Sequence, residues 1–307
     1  MLVGHGNRWV QAGLAGLAGL AGLVAATLFM GHVALVPPAV EAEFTVEVLD
    51  VGQGDAILLR SPEGKTVLID AGSPDAGVLD QLRARGVQSL DMVIASHAHN
   101  DHIGGMVDVL EAMPVGVFMD NGRPHVTQAY KELMQTVERL ELSYLEAQRP
   151  QRIQLGEDAT LEVLLPGPRL LRGTRSDNNA NSVILRLEYQ SHCMLFTGDA
   201  EPETERQLIS WGLEPCEVLK VAHHGSRHGT SQRLLAHLQP SIAIISASDS
   251  NRYGHPGEET LERLERAGVT TYRSDQHGSI RVTFAQEGLR VETDVGGDTP
   301  SWRTRSP

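Results

Sequence analysis

The chain has 307 residues, of which 41% are hydrophobic, and its formal net charge at pH 7 is −13. This length and composition predict one large globular domain or two small ones behind a short N-terminal segment. The acidic balance excludes a protein that coats nucleic acid through a generally basic surface. It does not exclude a nuclease, because bound divalent metals create a strong local positive site.

Residues 1–42 differ in kind from the rest of the chain. Val10 to Val36 is almost free of charge and contains tandem Leu-Ala-Gly triplets, with Arg8 before it and Glu41 after it. The run is long enough to span a bilayer. We predict a membrane anchor that leaves the following domain outside the cytoplasm, with a cleaved signal peptide and a secreted or periplasmic protein as the alternative.

Three short strands are predicted at the start of the folded region, at Phe44–Asp50, Ala56–Arg60 and Thr66–Asp70. Glycine-containing turns connect them. Asp55 lies in the first turn and Asp70 ends the third strand, and each is consistent with a turn residue. A helix is predicted over residues 75–86.

The stretch that determines the interpretation is Ser96–Gly105, which holds three histidines and an aspartate within six positions. An apolar run, Leu90–Ala95, precedes it and predicts a buried strand, and a helix is predicted over Asp101–Leu110. The cluster therefore lies at the carboxyl end of a strand, where open α/β sheets build their sites.

The spacing within this cluster suits metal binding. In an extended strand exit, His97, His99 and Asp101 point the same way, and Asp101 and His102 diverge as the helix begins. One loop can therefore provide ligands for two neighbouring metal ions. Imidazole with carboxylate suits Zn²⁺ or Mn²⁺, whereas a solvated loop or a helix cap explains three clustered histidines poorly.

The middle of the chain is predicted to contain a strand at Val115–Met119, an amphipathic helix over Thr127–Leu142, a strand at Thr160–Leu165 and a polar loop over Arg172–Asn181. Two further strands, Ser182–Tyr189 and Cys193–Thr197, follow around a short turn.

Two more strand exits carry candidate ligands. The strand that begins at Cys193 runs into Gly198-Asp199, which predicts either a bridging metal ligand or a helix cap. A strand at Glu217–Ala222 ends in the pair His223-His224, which repeats the first cluster and favours metal binding. The two cysteines, Cys193 and Cys216, allow one disulfide, but their spacing does not show that they meet.

The last predicted elements are a strand at Ser241–Ser246, a helix over Glu258–Gly268, and strands at Thr270–Tyr272 and Gly278–Phe284. Residues 296–307 form a polar tail. The predicted strands thus form two groups along the chain, with helices interspersed. This order predicts a four-layer α/β fold in which two sheets pack face to face and helices cover their outer faces.

The ordered residues Asp70, His97-x-His99-x-Asp101-His102, Asp199 and His224 resemble the motifs of the metallo-β-lactamase superfamily. A narrower resemblance to the metallo-β-lactamase-like domain of the ComEC competence proteins covers about residues 44–285 and is carried by Leu49–Ala56, Leu68–Gly72, Thr197–Asp199, Lys220–Ser226 and Tyr253–Pro256. The resemblance implies an αββα sandwich over residues 43–295, without the multi-helix channel region of those proteins.

The resemblance also implies one or two Zn²⁺ or Mn²⁺ ions with the ligands His97, His99, Asp101, His102, Asp199 and His224. His97 and His99 would bind one ion, Asp101, His102 and His224 the other, and Asp199 would bridge them.

Many members of the superfamily have one further histidine ligand for the first ion. The resemblance does not identify the residue of this chain that would replace it. His125, Asn181 or a water molecule could take its place, and Asp70 is a further possible ligand. One-metal occupancy, or manganese in place of zinc, is compatible with this difference.

We expect a metal-dependent phosphodiesterase that uses a metal-bound hydroxide, with Asp101, His223 and His255 as catalytic residues. By resemblance the substrate is DNA outside the cytoplasmic membrane, as in DNA uptake during competence. Two alternatives stay open: a hydrolase of a small phosphoester, lactone or thioester, and a non-catalytic DNA-binding module with a degenerate metal site.

Overall fold

The computed structural model describes residues 43–295. The predicted anchor or signal peptide (residues 1–42) and the predicted polar tail (residues 296–307) lie outside the described residues. Within residues 43–295, no helix combines the length and the apolar character needed to cross a membrane.

The strands are β1 (Phe44–Val48), β2 (Ile57–Arg60), β3 (Thr66–Ile69), β4 (Leu90–Ile94), β5 (Val115–Asp120), β6 (Ser143–Glu146), β7 (Arg152–Gln154), β8 (Ala159–Leu165), β9 (Ile184–Tyr189), β10 (His192–Phe196), β11 (Val218–Lys220), β12 (Ile242–Ile245), β13 (Thr270–Arg273), β14 (Ile280–Ala285) and β15 (Gly288–Thr293).

The helices are α1 (Val78–Ala84), α2 (Asn100–Ile103), α3 (Met106–Ala112), α4 (Gln128–Arg139), α5 (Asp177–Ala180), α6 (Pro202–Ser210), α7 (Gln232–Leu238), α8 (Glu258–Arg266) and α9 (Ser274–His277). A 3₁₀ turn covers Ala222–Gly225.

The strands form two mixed sheets. The first has the order β15-β14-β1-β2-β3-β4-β5-β6 and the second the order β13-β12-β11-β10-β9-β8-β7. In the first sheet β3, β4, β5 and β6 run parallel, and in the second β10, β11, β12 and β13 do. The carboxyl ends of parallel strands meet at one edge, so each sheet has an edge at which strand-exit loops gather.

Three apolar clusters show how the layers pack. One consists of strand and loop residues of both sheets, among them Phe44, Ile94 and Phe196, and fills the space between the sheets. The other two join one sheet each to helices: α1, α3 and α4 cover the first sheet, and α6, α7 and α8 cover the second. The fold is thus an α/β structure with two sheets between helical layers.

The helix predicted over Asp101–Leu110 is interrupted at two glycines. A Cβ on Gly104 would lie 2.4 Å from the Cδ of Pro74, and one on Gly105 would lie 2.4 Å from the carbonyl oxygen of Ala71. The chain that leaves β3 packs directly against this point, so only glycine fits and the helix divides into α2 and α3. The division separates the ligand-bearing turn from the helix that packs in the core.

Helix α6 has its own cap, which leaves Asp199 available for another role. The N-cap is Glu201, which forms a capping box with Thr204. The alternative in which Asp199 serves only to cap this helix is therefore wrong. Elements that the sequence did not reveal are α5 inside the predicted polar loop, the helices α7 and α9, and the edge strands β6, β7 and β15.

The two cysteines pair in the structure. Cys193 at the start of β10 and Cys216 before β11 form a disulfide, with Cα atoms 5.4 Å apart. The bridge closes a segment with a sequence separation of 23 residues.

We expect reduction of this disulfide, or replacement of both cysteines by serine, to lower the free energy of unfolding by about 3 kcal/mol, because the cross-link restricts the unfolded chain. Thermal unfolding with and without a reductant would then show a fall of roughly 5–10 °C in Tm. The serine double variant should not respond to the reductant, and an unchanged Tm of the native protein would contradict the prediction.

Candidate metal centre

The exits of four parallel strands bring the candidate residues to one place. Asp70 follows β3, the histidine cluster follows β4, Asp199 follows β10, and the pair His223-His224 follows β11. The first two exits belong to the first sheet and the last two to the second. Side chains from both sheets lie within 3.6 Å of one another, since Asp199 reaches His97 and His102 of the first sheet.

Asp70 orients the first histidine loop. Its carboxylate accepts hydrogen bonds from the backbone N–H of Ser96 (2.7 Å) and from the Ser96 hydroxyl (2.6 Å). It also contacts Nδ1 of His102 at 2.7 Å. Because Nδ1 is held in this way, Nε2 of His102 is free to face the interior of the site. Asp70 is a possible ligand in the sequence analysis. In the structure it contacts Nδ1 of the candidate ligand His102 and thereby orients that ring.

Asp199 lies at the middle of the cluster. Its carboxylate oxygens are 3.3 Å from Nε2 of His102 and 3.6 Å from Nε2 of both His97 and His224. Burial raises the pKa of Asp199, but the imidazoles of His102, His224 and His97 outweigh this effect and hold it well below its usual range. Asp199 is therefore an ionised carboxylate among imidazoles, as a bridging ligand would be.

His224 completes one group of donors. Its Nδ1 lies 3.0 Å from the carbonyl oxygen of Ser246, so Nδ1 carries the proton and Nε2 has a free lone pair. That Nε2 lies 3.6 Å from Oδ2 of Asp101 and 3.6 Å from Oδ1 of Asp199. Donor atoms of Asp101, His102 and His224 thus lie within 4.8 Å of one another, close enough to share one ion.

The turn that carries His223 and His224 has an uncommon backbone. Both residues have positive φ angles, 50° and 55°, and Gly225 follows with φ 79°. Such angles cost roughly 1–3 kcal/mol for a residue with a Cβ and persist only where the surroundings enforce them. The turn directs two consecutive imidazoles towards Asp199, since Nε2 of His223 also lies 3.6 Å from its Oδ2.

The group of donors fits a divalent metal ion. Three deeply buried atoms have no hydrogen-bond partner: Nε2 of His102, Oδ1 of Asp199 and Nε2 of His224. The first two lie 3.3 Å apart without the alignment of a hydrogen bond. Leaving such atoms unsatisfied is costly, and a cation coordinated by all three removes the cost.

The electrostatics of His102 support the same conclusion. Burial lowers its pKa, but the carboxylates of Asp199 and Asp70 raise the pKa of His102 well above its ordinary value. The site therefore attracts positive charge, and a metal ion would take the place of the proton.

The predicted first ion has fewer donors. Nε2 of His97 lies 2.9 Å from Nδ1 of His99, and Asp199 is the nearby carboxylate. His125 lies beside His99, with ring centres 6.3 Å apart, and its Nδ1 contacts the Thr127 hydroxyl at 3.0 Å.

The structure does not bring Asn181 to the centre. Its amide is used within its own loop, where it contacts Leu171 N, Leu171 O and Asp177 O at 2.6–2.9 Å. The amide that lines the cavity belongs to Asn179, whose nitrogen lies 3.4 Å from the His223 ring.

A buried ion pair beside the centre was not identified from the sequence. The ammonium of Lys220, which is fully buried, lies 2.7 Å from Oδ1 and 2.8 Å from Oδ2 of Asp55. Asp55 in turn donates its backbone N–H to the carbonyl oxygen of Asp101, and its Oδ1 is 3.6 Å from Nδ1 of His224. The loop is packed so closely that a Cβ on Gly54 would lie 2.3 Å from the Asp101 oxygen.

An open cavity of about 310 Å³ borders the centre. Its lining includes His99, Asp101, Asp199, His224 and, at the rim, Tyr253. Two polar atoms that border it, Oε1 of Gln53 and Nδ1 of His255, are buried without a partner. The cavity therefore offers both a cation site and unused hydrogen-bonding groups for a bound molecule.

Comparison with known proteins bears directly on this arrangement. Residues 49–248 match the family model of the metallo-beta-lactamase superfamily. Recombination protein 2 of Haemophilus influenzae is 32% identical over 254 residues, which cover 80% of this chain and 30% of that protein.

ComE operon protein 3 of Bacillus subtilis is 30% identical over 274 residues, which cover 80% of this chain and 34% of that protein. Competence protein ComA of Neisseria gonorrhoeae is 29% identical, with 87% of this chain and 36% of that protein covered. These relatives confirm the predicted resemblance to competence proteins. The chain spans about a third of their length.

Solved structures show the same fold. Igni18, a metallo hydrolase from Ignicoccus hospitalis, superposes with a TM-score of 0.52 at 14% identity, covering 77% of this chain and 98% of that one. CmlA, a diiron β-hydroxylase from Streptomyces venezuelae, gives a TM-score of 0.52 at 15% identity, covering 78% and 54%. The family model spans most of the folded region, and the histidine and aspartate residues of the chain converge where strands of both sheets end, so the chain belongs to the metallo-β-lactamase superfamily.

Proposed function

We propose that this protein is a metal-dependent phosphodiesterase that cleaves DNA. The observation that carries the proposal is the set of three buried, unpartnered atoms on His102, Asp199 and His224, of which Asp199 and His224 line an open cavity. The relatives named for competence and recombination favour DNA as the substrate, although the chain corresponds to only part of each.

The ligands would divide between two positions. Asp101, His102 and His224 would hold one ion, His97 and His99 the other, with Asp199 between them. Zn²⁺ and Mn²⁺ both suit this donor set. When bound, such ions supply Lewis-acid stabilisation of phosphoryl oxygens and lower the pKa of water.

His223 is better suited than His255 to donate a proton to the leaving oxygen. Burial lowers the pKa of His223, but Glu201 and Asp199 outweigh this effect and raise it above its ordinary value. Burial, together with the neighbouring His223 and His224, lowers the pKa of His255 to about 4, so this ring is neutral at pH 7. A neutral His255 can accept a hydrogen bond from a substrate or donate one to it. It carries no imidazolium proton that it could transfer to the leaving oxygen.

Replacing His223 by glutamine should therefore affect poor leaving groups most. We expect kcat for DNA to fall roughly 10²-fold or more, because an alkoxide needs a proton as it departs. Hydrolysis of bis(p-nitrophenyl) phosphate should fall much less, because nitrophenolate leaves without one. Steady-state kinetics on both substrates would show the split, with His255→Gln as the matched variant. Equal losses on both substrates would contradict a proton-donating role.

The proposed place of action is outside the cytoplasm. The Cys193–Cys216 disulfide favours an oxidising compartment. The apolar segment within residues 1–42 favours attachment to the membrane or secretion through it, and DNA reaching the cell surface would be the partner molecule.

The test is metal-dependent cleavage by the purified protein. Chelation should abolish cleavage of single- and double-stranded DNA, and adding back Zn²⁺ or Mn²⁺ should restore it. Absence of cleavage of any phosphodiester with every metal would end the proposal.

A small-molecule hydrolase is the second candidate. The cavity volume of about 310 Å³ and the net charge of −13 favour a small phosphoester, lactone or thioester over a long polyanion. A panel of such substrates would decide between them. Salt-dependent DNA binding without any turnover would instead favour a non-catalytic binding module.

A further inference from the structure

A tyrosine at the mouth of the metal centre is unusually exposed. Tyr253, in the loop between β12 and α8, is 55% exposed. It lines the cavity that contains Asp199 and also a second cavity of about 460 Å³. The two cavities share Tyr253, His223 and His255 in their linings, so they adjoin at this ring. A polymer that reaches the metal centre through the second cavity would pass over Tyr253.

Three neighbouring side chains stack on one another here and are together called the aromatic platform: Arg252, Tyr253 and His255. The Arg252 guanidinium lies 4.9 Å from the centre of the Tyr253 ring and donates to its hydroxyl at 2.7 Å. The rings of Tyr253 and His255 are inclined by only 25°, with centres 5.8 Å apart. Stacked planar groups of this kind suit the face of a nucleobase.

The second cavity continues from the platform with cationic side chains. Arg175, Arg227 and His228 line it. Arg227 is adjacent to His228, with Nε 3.2 Å from Nε2, while Arg175 contacts Glu201 at 2.8 Å. Guanidinium groups are preferred phosphate donors, and these stand out in a chain of net charge −13.

Two glutamates at the start of α8 line the same cavity: Glu258 and Glu259. The cavity therefore presents aromatic, cationic and anionic groups within about 460 Å³, which suits one strand with unpaired bases better than a broad duplex surface.

We propose that the aromatic platform stacks an unpaired base next to the scissile phosphodiester while Arg227 and Arg175 contact the adjoining phosphate. This inference rests on the proposed phosphodiesterase function and makes single-stranded nucleic acid the preferred substrate. A base within a duplex is already stacked on its neighbours, so its face is not free. Recognition is tolerant of sequence, because every base has such a face.

The test compares two oligonucleotides that differ only in their bases: a fluorescein-labelled thymidine 12-mer and an abasic 12-mer of the same length, both with phosphorothioate linkages to resist cleavage. Fluorescence anisotropy with the full-length protein should show tighter binding of the thymidine strand. Tyr253→Ala should weaken that binding roughly tenfold, so that the preference over the abasic strand is lost. Tyr253→Phe should keep the preference, and Arg227→Gln should weaken binding of both strands.

Tyr144→Ala serves as the matched control, since Tyr144 is an exposed tyrosine on the edge strand β6, 43% exposed, and lines neither cavity. It should retain the preference for the thymidine strand. Equal affinity of the native protein for both strands, or equal losses for both in Tyr253→Ala, would overturn the inference. Cleavage of unmodified versions of both strands at equal kcat/KM would also overturn it but leave the proposed function intact, whereas absence of cleavage of every diester would overturn the proposed function.

Discussion

Replacing Asp199 by asparagine should remove metal-dependent hydrolysis, lowering kcat/KM by roughly 10³-fold. Asp199 is the carboxylate that faces His97, His102 and His224 together, at 3.3–3.6 Å. Asparagine keeps the shape of the side chain but removes the negative charge, and its amide nitrogen donates where a cation needs an acceptor. Metal content by mass spectrometry should therefore fall with activity, since the two predicted ions share this ligand.

The matched control is Asp80→Asn on the surface of α1, where the carboxylate is 88% exposed. It makes the same chemical change far from the described ligands and should leave metal content and activity unaltered. If Asp199→Asn retained metal and lost only activity, Asp199 would act on the substrate and not as a bridging ligand. Full retention of both would remove it from the centre.

Asp199 also shows what the sequence could predict. A carboxylate after an apolar strand and a glycine has two plausible roles, and the choice depends on which residue caps the next helix. Glu201 does so, through a capping box with Thr204. The strand exits themselves were predictable, because each follows a short apolar run and parallel strands end at a common edge.

Other features of the centre depend on packing that no local pattern encodes. The amide in the cavity belongs to Asn179, two residues from the predicted Asn181, because a single turn of helix, α5, turns one amide outward and leaves the other bonded to its own loop. The break between α2 and α3 reflects the approach of Pro74 and Ala71 to Gly104 and Gly105. Neither follows from hydrophobic periodicity.

The Asp55–Lys220 pair is the clearest case of information absent from local sequence, since its members are 165 positions apart. Asp55 is consistent with a turn aspartate, and Lys220 is the last residue of the short strand β11, after two apolar residues. In the structure the ammonium of Lys220 and the carboxylate of Asp55 neutralise each other between the two sheets. The pair also connects the loop that contacts Asp101 to the turn that carries His224.

Replacing Lys220 by methionine should therefore be strongly destabilising. The methionine fills similar space, but the carboxylate of Asp55, only 1% exposed, loses its counter-ion. Removing one partner of a buried ion pair costs about 3–5 kcal/mol. Urea unfolding should show this loss in the free energy of unfolding, with a Tm lower by roughly 10 °C.

The double variant Asp55→Asn/Lys220→Met is the decisive comparison, because it removes both charges. We expect it to be more stable than Lys220→Met alone, with a coupling free energy of about 1–3 kcal/mol across the double-mutant cycle.

Measuring metal affinity on the same four proteins separates two roles for the pair. If stability falls while metal affinity is kept, the pair only stabilises the sheets; if both fall together, it also holds Asp101 and His224 at the distance that a shared ion requires. Equal unfolding free energies of Lys220→Met and the native protein would show that Asp55 does not depend on this lysine.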